Sequence, residues 1–206
     1  MKSRVVTLEQ LGEELVLAPE RHLFARGAGV PLGELVVERR ERVRDLPSAL
    51  VLDTTHAKDG VLDVHAAARD PSSVKSAKKL AKEGDLLVSR LRPYLRQIAL
   101  VHPEAARLAG RPLAVSPEFF VLSSEDGDDL AWLVPFLLGP VAQRALADAQ
   151  EGGHHPRVPR ASLFALRVPR ARVRDRAETS RAVRDALALL YAGVGAWSRL
   201  LAAGDR

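Results

Sequence analysis

Three arginines between residues 84 and 101 stand close enough together to bind an anion. Arg90, Arg92 and Arg96 lie between two short apolar runs, and Tyr94 sits among them in a bend that begins at a proline. This pattern predicts a strand, a basic turn and a second strand. Clustered guanidinium groups repel one another unless an anion lies between them, so we expect the turn to meet phosphate groups. The buried face of the two strands is expected to carry Leu86, Val88 and Leu100.

Positive charge is concentrated in two blocks of the 206-residue chain, whose net charge is only +5. Residues 75–102 carry seven lysines and arginines against two acids, and residues 152–176 carry seven against one. Between them, residues 103–151 carry eight acids against three arginines. If the two basic blocks meet in space, they form the electrostatic footprint of a phosphate-binding face. The alternative is a solvated, arginine-rich surface.

The candidates for contact with nucleic acid are basic side chains and two histidines in four segments. Each has a structural alternative, since Arg90 or Arg92 could pair with Asp85 or Glu118 and hold the fold together. The candidates are Arg39, Arg40, Arg42, Lys75, Lys78, Lys79, Lys82, Arg90, Arg92, Arg96, His154, His155, Arg157 and Arg160.

The sequence lacks the common motifs of catalysis. It has no cysteine, no glycine-rich phosphate loop, and no Asp/Glu-x-Lys pair of the kind found in nucleases. His154 and His155 are adjacent, and adjacent histidines do not converge on one metal as a His-x-x-x-His pair on a helix does. We therefore predict no catalytic residue, no metal and no cofactor. The absence of long apolar runs and of a signal-peptide pattern favours a cytoplasmic protein.

Periodicity and turn residues predict the remaining elements. Gly139-Pro140 is expected to split a helix that Asp128 or Asp129 caps. Lys58-Asp59-Gly60 is expected to close a hairpin between arms at 49–52 and 61–64. The predicted helices cover residues 4–17, 72–83 and 128–149. The predicted strands also include one that enters a charged loop within residues 32–44, one over 113–122 with a break at Pro117, and one over 163–169.

A long helix is predicted over residues 175–203, after Pro169. Its apolar residues are spaced alternately by four and three, the heptad pattern of helices that pack on other helices. The stripe either docks on the domain's own core or meets a partner helix. It consists of Val183, Leu187, Leu190, Val194, Trp197 and Leu201.

The ordered set of motifs over residues 30–170 resembles one target recognition domain of the specificity subunit of Type I restriction-modification systems. The segment 83–94, Glu-Gly-Asp-Leu-Leu-Val-Ser-Arg-Leu-Arg-Pro-Tyr, is the most specific piece. A long helix follows Pro169, as it follows each recognition domain in that family. The other matching pieces are Val30–Leu35, Thr54–Gly60, Val115–Leu122, the helix Leu130–Ala149 with Gly152-Gly153, and His154–Val158 leading to Leu163, Leu166 and Val168.

The resemblance implies an α+β recognition domain with a twisted, mostly antiparallel sheet over residues 1–172, and a helix over 173–206 for dimerisation or partner packing. It implies double-stranded DNA and a methyltransferase subunit as partners. Family members usually carry two recognition domains and two helices, whereas this chain has one of each. This suggests a half-length subunit that forms a homodimer through its helix and reads a bipartite site, or a solitary relative adapted to another system. Such a subunit is non-catalytic and positions an adenine methyltransferase, with or without a nuclease. The alternative is an assembly or regulatory protein that uses the same fold for protein contacts.

Overall fold

The computed structural model describes residues 29–43, 48–69, 77–154 and 156–204. Three sequence predictions lie outside these ranges: the helix over 4–17, and the candidate contacts Lys75 and His155.

Short strands form two four-stranded sheets and two two-stranded ribbons among the described residues. They are β1 Val30–Pro31, β2 Val37–Glu38, β3 Arg42–Val43, β4 Leu50–Leu52, β5 Ala57–Lys58, β6 Val61–Leu62, β7 Lys78–Ala81, β8 Leu86–Ser89, β9 Ile98–Leu100, β10 Leu113–Val115, β11 Phe119–Ser123 and β12 Arg167–Val168. The first sheet has the order β3-β7-β10-β4, and its β10–β4 pair is parallel. The second sheet, β2-β11-β8-β9, is antiparallel throughout. The ribbons pair β1 with β12 and β5 with β6, both antiparallel.

Helices cover the sheets, and one long helix ends the described chain. They are α1 Val64–Arg69, α2 Pro103–Ala109, α3 Val134–Leu137, α4 Pro140–Asp148, α5 Arg160–Phe164, α6 Arg170–Arg174 and α7 Arg176–Gly204. The predicted fold class, α+β with mostly antiparallel sheets and a long C-terminal helix, is confirmed.

The predicted strand, basic turn and strand are confirmed as β8, a 3₁₀ turn at Pro93–Leu95, and β9. Leu86 lies opposite Leu100 in the antiparallel ladder, and both are buried, as is Val88. Every residue of β8 and β11 is buried, so these two central strands are covered on both faces. A continuous apolar run is the sequence mark of such a strand.

The turn of the predicted hairpin is confirmed, but the strands that it joins differ from the predicted arms. Asp59 and Gly60 have φ of 50° and 92°, which matches the two positive φ values of a tight hairpin turn. The turn joins β5 to β6, whereas β4 pairs in parallel with β10. Asp53 caps a 3₁₀ turn at Thr54–His56 that separates β4 from β5, and β4 takes its partner from the distant strand β10.

Two other predictions are corrected. Residues 78–81 form β7 and not a helix, because the ladder with β3 and β10 on either side overrides the helical propensity of the lysines. Residues 163–169 begin inside α5, and only Arg167–Val168 is a strand, paired with β1. The predicted split at Gly139-Pro140 is confirmed, since α3 ends at Leu137 and α4 begins at Pro140.

Helix α7 docks on the domain through one face of its first two-thirds. Leu187 and Tyr191 are buried there, 7% and 3% exposed. The Tyr191 hydroxyl accepts from the Leu62 backbone N–H at 2.9 Å and donates to the Leu62 carbonyl at 3.2 Å, and its ring stacks on His102 with centroids 5.6 Å apart. After Leu187 the docked face continues through Tyr191, whereas the heptad stripe continues through Leu190, which lies about 100° away around the helix.

Candidate functional site

A basic cleft of about 300 Å³ lies where the two sheets meet. The chain crosses from β2, an edge strand of the second sheet, to β3, an edge strand of the first, within three residues. This crossing, β7, the end of β8 and the start of α5 bring together side chains that are far apart in sequence. The basic cleft is lined by Glu38, Arg40, Arg42, Lys79, Arg90, Pro117, Phe120 and Arg160.

One carboxylate, that of Glu38, organises the cleft. Its Oε1 accepts from Lys79 Nζ at 3.2 Å, and its Oε2 accepts from Arg160 Nε at 2.9 Å and from Arg40 Nε at 3.2 Å. The side chains of Glu38 and Lys79 are each only 7% exposed, whereas those of Arg40 and Arg160 are 66% and 46% exposed. The carboxylate therefore forms the floor of the cleft and holds two guanidiniums toward solvent.

The buried pair is tightly coupled. Burial acts to raise the pKa of Glu38, but the hydrogen bonds and charges of Lys79, Arg40 and Arg160 outweigh it and hold that pKa below its usual value. Burial lowers the pKa of Lys79, with contributions from Arg90 and Arg42, and the Glu38 carboxylate opposes this. The Lys79 ammonium also donates to the Phe119 carbonyl at 2.7 Å, so its hydrogen bonds are directed into the protein.

The Arg90 guanidinium is only partly engaged by contacts within the described residues. Its guanidinium lies 5.3 Å from the centre of the Phe120 ring, a cation–π contact. Its buried Nε has no hydrogen-bond partner among the described residues. Arg42 lies exposed at the rim, opposite Lys79 in the β3–β7 ladder. With five cations around one carboxylate, the cleft keeps a surplus of four positive charges and suits a polyanion.

Three other predicted contacts are held in ion pairs that join segments of the fold. Arg39 donates to Asp85 at 3.1 and 3.3 Å, and Asp85 is almost fully buried. Arg157 donates to the Glu118 carboxylate from Nε at 3.0 Å and from Nη2 at 2.8 Å. The alternative of a structural pair with Asp85 or Glu118 is thus realised, but by Arg39 and Arg157 and not by Arg90 or Arg92.

Arg96 is also used by the fold. It pairs with Asp59 and donates from Nη1 to the Leu138 carbonyl at 2.8 Å. The remaining candidates lie outside the cleft lining: Lys78 on β7, and the exposed residues Lys82, Arg92 and His154.

The predicted heptad stripe on α7 divides into two parts. Val183 is half-buried and Leu187 is buried against the domain. The remaining four side chains are between 38% and 61% exposed: Leu190, Val194, Trp197 and Leu201.

Sequence reasoning missed Glu38 and Phe120. Glu38 directly precedes the charged run at 39–44, and a single acid ahead of a basic run was the available signal. Phe120 lies in an apolar strand that nothing in the sequence connects with Arg90.

A second cavity, about 340 Å³, lies between the loop at 124–129 and the start of α7. We call it the acidic junction. Asp129 is its centre: Oδ1 accepts from Ser180 Oγ at 3.1 Å and from the Ala131 N–H at 3.0 Å, and Oδ2 pairs with Arg184. Its charged lining consists of Glu34, Glu125, Asp126, Asp128, Asp129, Arg176, Arg181 and Arg184.

Neither a metal-binding cluster nor a membrane-spanning helix occurs in the described ranges. No group of three histidines or carboxylates there is arranged to hold an ion. No helix within those residues is both long and apolar enough to cross a membrane.

Comparison with known proteins gives one structural match to report. No protein-family model matches this chain, and no curated protein matches it. A chain in a solved structure, described as the structural basis of complex assembly and conformational transition of the type I R-M system, is similar to it. The two are 21% identical with a TM-score of 0.49, over 85% of this chain and 44% of the other. The chain therefore spans less than half the length of that relative.

Proposed function

We propose that this chain is a sequence-specific, duplex-DNA-binding specificity subunit of a Type I restriction-modification-like system. It catalyses no step itself and positions an adenine methyltransferase on a bipartite site. Residues 1–172 act as the recognition domain, and residues 173–206 act as the dimerisation and partner helix. The single observation that carries the proposal is the basic cleft, in which cations from four separate segments converge to give a surplus of positive charge.

DNA binding follows from this charge in two parts. Arg40, Arg42 and Arg160 present exposed guanidiniums that neutralise phosphates and release counterions, which positions the protein without reading sequence. Arg90, with its unpartnered Nε, lies deeper and offers donors for a base edge or a phosphate oxygen. By contrast, Arg39, Arg96 and Arg157 form ion pairs that join segments of the fold, and they have a structural role.

The testing experiment is selection from a randomised duplex library by the purified chain at two salt concentrations. Enrichment of an inverted repeat is the expected result, because a two-fold dimer presents two identical recognition faces. Arg42→Ala is expected to reduce the slope of log affinity against log salt by about one, as the loss of one phosphate contact does. Arg107→Ala is the matched control, since Arg107 is exposed on α2 and pairs with Glu104. Duplex binding that is equal in Arg42→Ala, Arg107→Ala and the parent would overturn the proposal.

The dimer is proposed to form through the exposed part of the heptad stripe on α7. Leu190→Asp is expected to abolish self-association in sedimentation velocity, because it buries a charge in a helix–helix seam. Leu189→Asp is the control, since Leu189 is adjacent to Leu190, is 77% exposed, and lies off the stripe. Equal sedimentation of both variants and the parent would contradict a dimer of this kind.

The second candidate function is a non-catalytic assembly or regulatory protein, and the exposed stripe on α7 is the observation that favours it. It predicts oligomers that depend on Leu190, together with only weak, sequence-blind DNA binding. The library selection separates the two functions, because this candidate enriches no motif.

A further inference from the structure

The turn that joins β8 to β9 has an unusual backbone. Its 3₁₀ turn at Pro93–Leu95 is flanked by Arg92 with φ of 43° and Arg96 with φ of 54°. Both residues are in the left-handed region, which carries a steric cost for a side chain with a Cβ. Such conformations persist where the surrounding structure enforces them, and they cluster at binding sites.

The base of this turn is held from several sides. Pro93 is buried, and Arg96 pairs with Asp59 and donates to the Leu138 carbonyl. In the backbone, the Leu95 N–H donates to the Arg92 carbonyl at 2.9 Å, and the Arg96 N–H donates to the Pro93 carbonyl at 2.8 Å. The turn is therefore a rigid projection.

The outer end of the turn exposes apolar surface. Tyr94 is 69% exposed and Leu95 is 37% exposed, and both follow the exposed Arg92. We call these three residues the crown. An exposed tyrosine and leucine on a rigid turn have no role in the core, and their position next to an arginine suits a ligand that is both anionic and flat.

The crown lies beside the basic cleft along the chain. The turn leaves β8 through Arg90, whose side chain lines the cleft and whose carbonyl accepts from the Val158 N–H at 2.8 Å. Leu91 then bridges to Arg157, which is fixed by Glu118. The crown therefore lies within a few residues of the cleft along the chain.

We infer that the crown enters a groove of the bound duplex, with the Tyr94 ring and Leu95 packed against bases and Arg92 on the adjacent backbone. This inference rests on the proposed function and specifies which residues contact bases. Apolar wedges on DNA-binding proteins partly unstack a base step, and aromatic rings stack on bases of any sequence. The exposed Arg92 beside these apolar side chains favours nucleic acid over a protein surface as the occupant of the crown.

The test is a titration of the full chain against the duplex enriched in the library selection, or a mixed-sequence duplex if none is enriched. Tyr94→Ala is expected to lower affinity about tenfold, the effect of losing one stacked base contact. The salt dependence stays unchanged because no charge is removed. Tyr94→Phe retains the ring and should bind nearly as the parent does. Leu189→Ala removes an equally exposed apolar side chain from α7 and is the control.

A 2-aminopurine scan of the same duplex reports stacking directly. The parent is expected to change the fluorescence at one base step, and Tyr94→Ala is expected to lose that change. Thermal unfolding of each variant checks that the fold is intact, as expected for a side chain so exposed.

The outcomes separate this inference from the proposed function. If the parent binds with strong salt dependence and Tyr94→Ala binds within twofold of it, the inference is overturned and the proposed function stands. Equal losses in Tyr94→Ala and Tyr94→Phe would overturn stacking in favour of a hydroxyl contact. If the parent binds no duplex at either salt concentration, the proposed function fails and the inference fails with it. A Tyr94→Ala variant that binds DNA normally but no longer self-associates would make the crown a protein contact and overturn the inference.

Discussion

The basic cleft and the acidic junction are built alike, yet their charge balance is opposite. Each has one carboxylate, Glu38 or Asp129, that accepts from several donors. The junction places five acids among three arginines, and its central carboxylate ties α7 to the domain. The cleft places five cations around one acid.

The difference separates charges that serve the fold from charges left for a ligand. At the junction, the donors to Asp129 include Ser180 and Arg184 of α7, so this carboxylate holds the helix against the domain. In the cleft, Glu38 neutralises one of five cations and the nearby Glu118 acts on Arg90 and Lys79, which still leaves positive charge for solvent counterions or a bound polyanion. The two sites therefore predict different consequences for stability and for binding.

The largest expected effect is a loss of stability on substitution of Lys79. This residue forms the floor of the basic cleft together with Glu38, so its charge is expected to serve the fold and not a ligand. Lys79→Met leaves the Glu38 carboxylate buried without its main partner, and we expect a loss of about 3 kcal/mol in the free energy of unfolding. Urea denaturation measures it, with Lys82→Met as the control because Lys82 is exposed. If Lys79→Met is as stable as that control, the Lys79–Glu38 pair does not stabilise the fold.

The next effect concerns the docking of α7. Tyr191→Phe removes the hydroxyl that accepts from and donates to Leu62, and we expect a loss of about 2 kcal/mol. Chemical denaturation at neutral pH measures this loss. A phenylalanine variant as stable as the parent would show that the two hydrogen bonds contribute nothing net.

The same pair of proteins tests pH dependence. Burial raises the pKa of Tyr191 from 10.0 to about 12. The folded state therefore favours the neutral phenol, and its stabilisation is fully present below pH 10.0 and is lost as the pH rises through about 12. The stability difference between the parent and Tyr191→Phe should shrink over that interval. A constant difference would mean that the hydroxyl is accessible to solvent.

A smaller effect is expected at the acidic junction. Asp129→Ala removes a cap on the Ala131 N–H and two side-chain contacts, one of them half-exposed, for an expected loss of about 1.5 kcal/mol. Duplex affinity, measured well below the unfolding temperature, should be unchanged. Weaker DNA binding by the folded variant would contradict the assignment of this site to the fold alone.

The smallest effect is expected at the crown, where binding and stability should move in opposite directions. Arg92→Gly relieves a left-handed arginine and should raise stability by about 0.5 kcal/mol, after the entropic cost of glycine is subtracted. It should also weaken duplex binding. Arg96→Gly relieves the same kind of backbone but loses the contacts to Asp59 and Leu138, so it should lower stability. If both variants gain stability, the contacts of Arg96 are not what holds the turn, and a loss in Arg92→Gly would contradict the strain assigned to that residue.

The local elements of the fold were the ones that the sequence predicted well. The strands around the arginine turn, the turn at Asp59-Gly60 and the split at Gly139-Pro140 all depend on residues within a few positions of one another. The errors came where distant partners decide, as with β7, which takes its conformation from β3 and β10. Likewise, β4 pairs with a strand about sixty residues away and not with its neighbour.

The candidate site followed the same rule. Arg40, Arg42, Arg90 and Arg160 were predicted from charge alone, and the cleft brings them together. Charge could not identify which arginines the fold uses to join its segments, because a guanidinium in an ion pair and a free one look identical in sequence. Arg39, Arg96 and Arg157 are the examples.

The long helix shows what each level decides. Its length and its apolar stripe are properties of the sequence alone, since they follow from residue spacing between Arg176 and Gly204. Only the tertiary structure decided which face docks on the domain, because Tyr191 finds the Leu62 backbone and His102 there. The docked face and the heptad stripe share Leu187, but the next docked residue, Tyr191, lies about 100° around the helix from the next stripe residue, Leu190, so the two faces separate there. That separation leaves Leu190, Val194, Trp197 and Leu201 exposed.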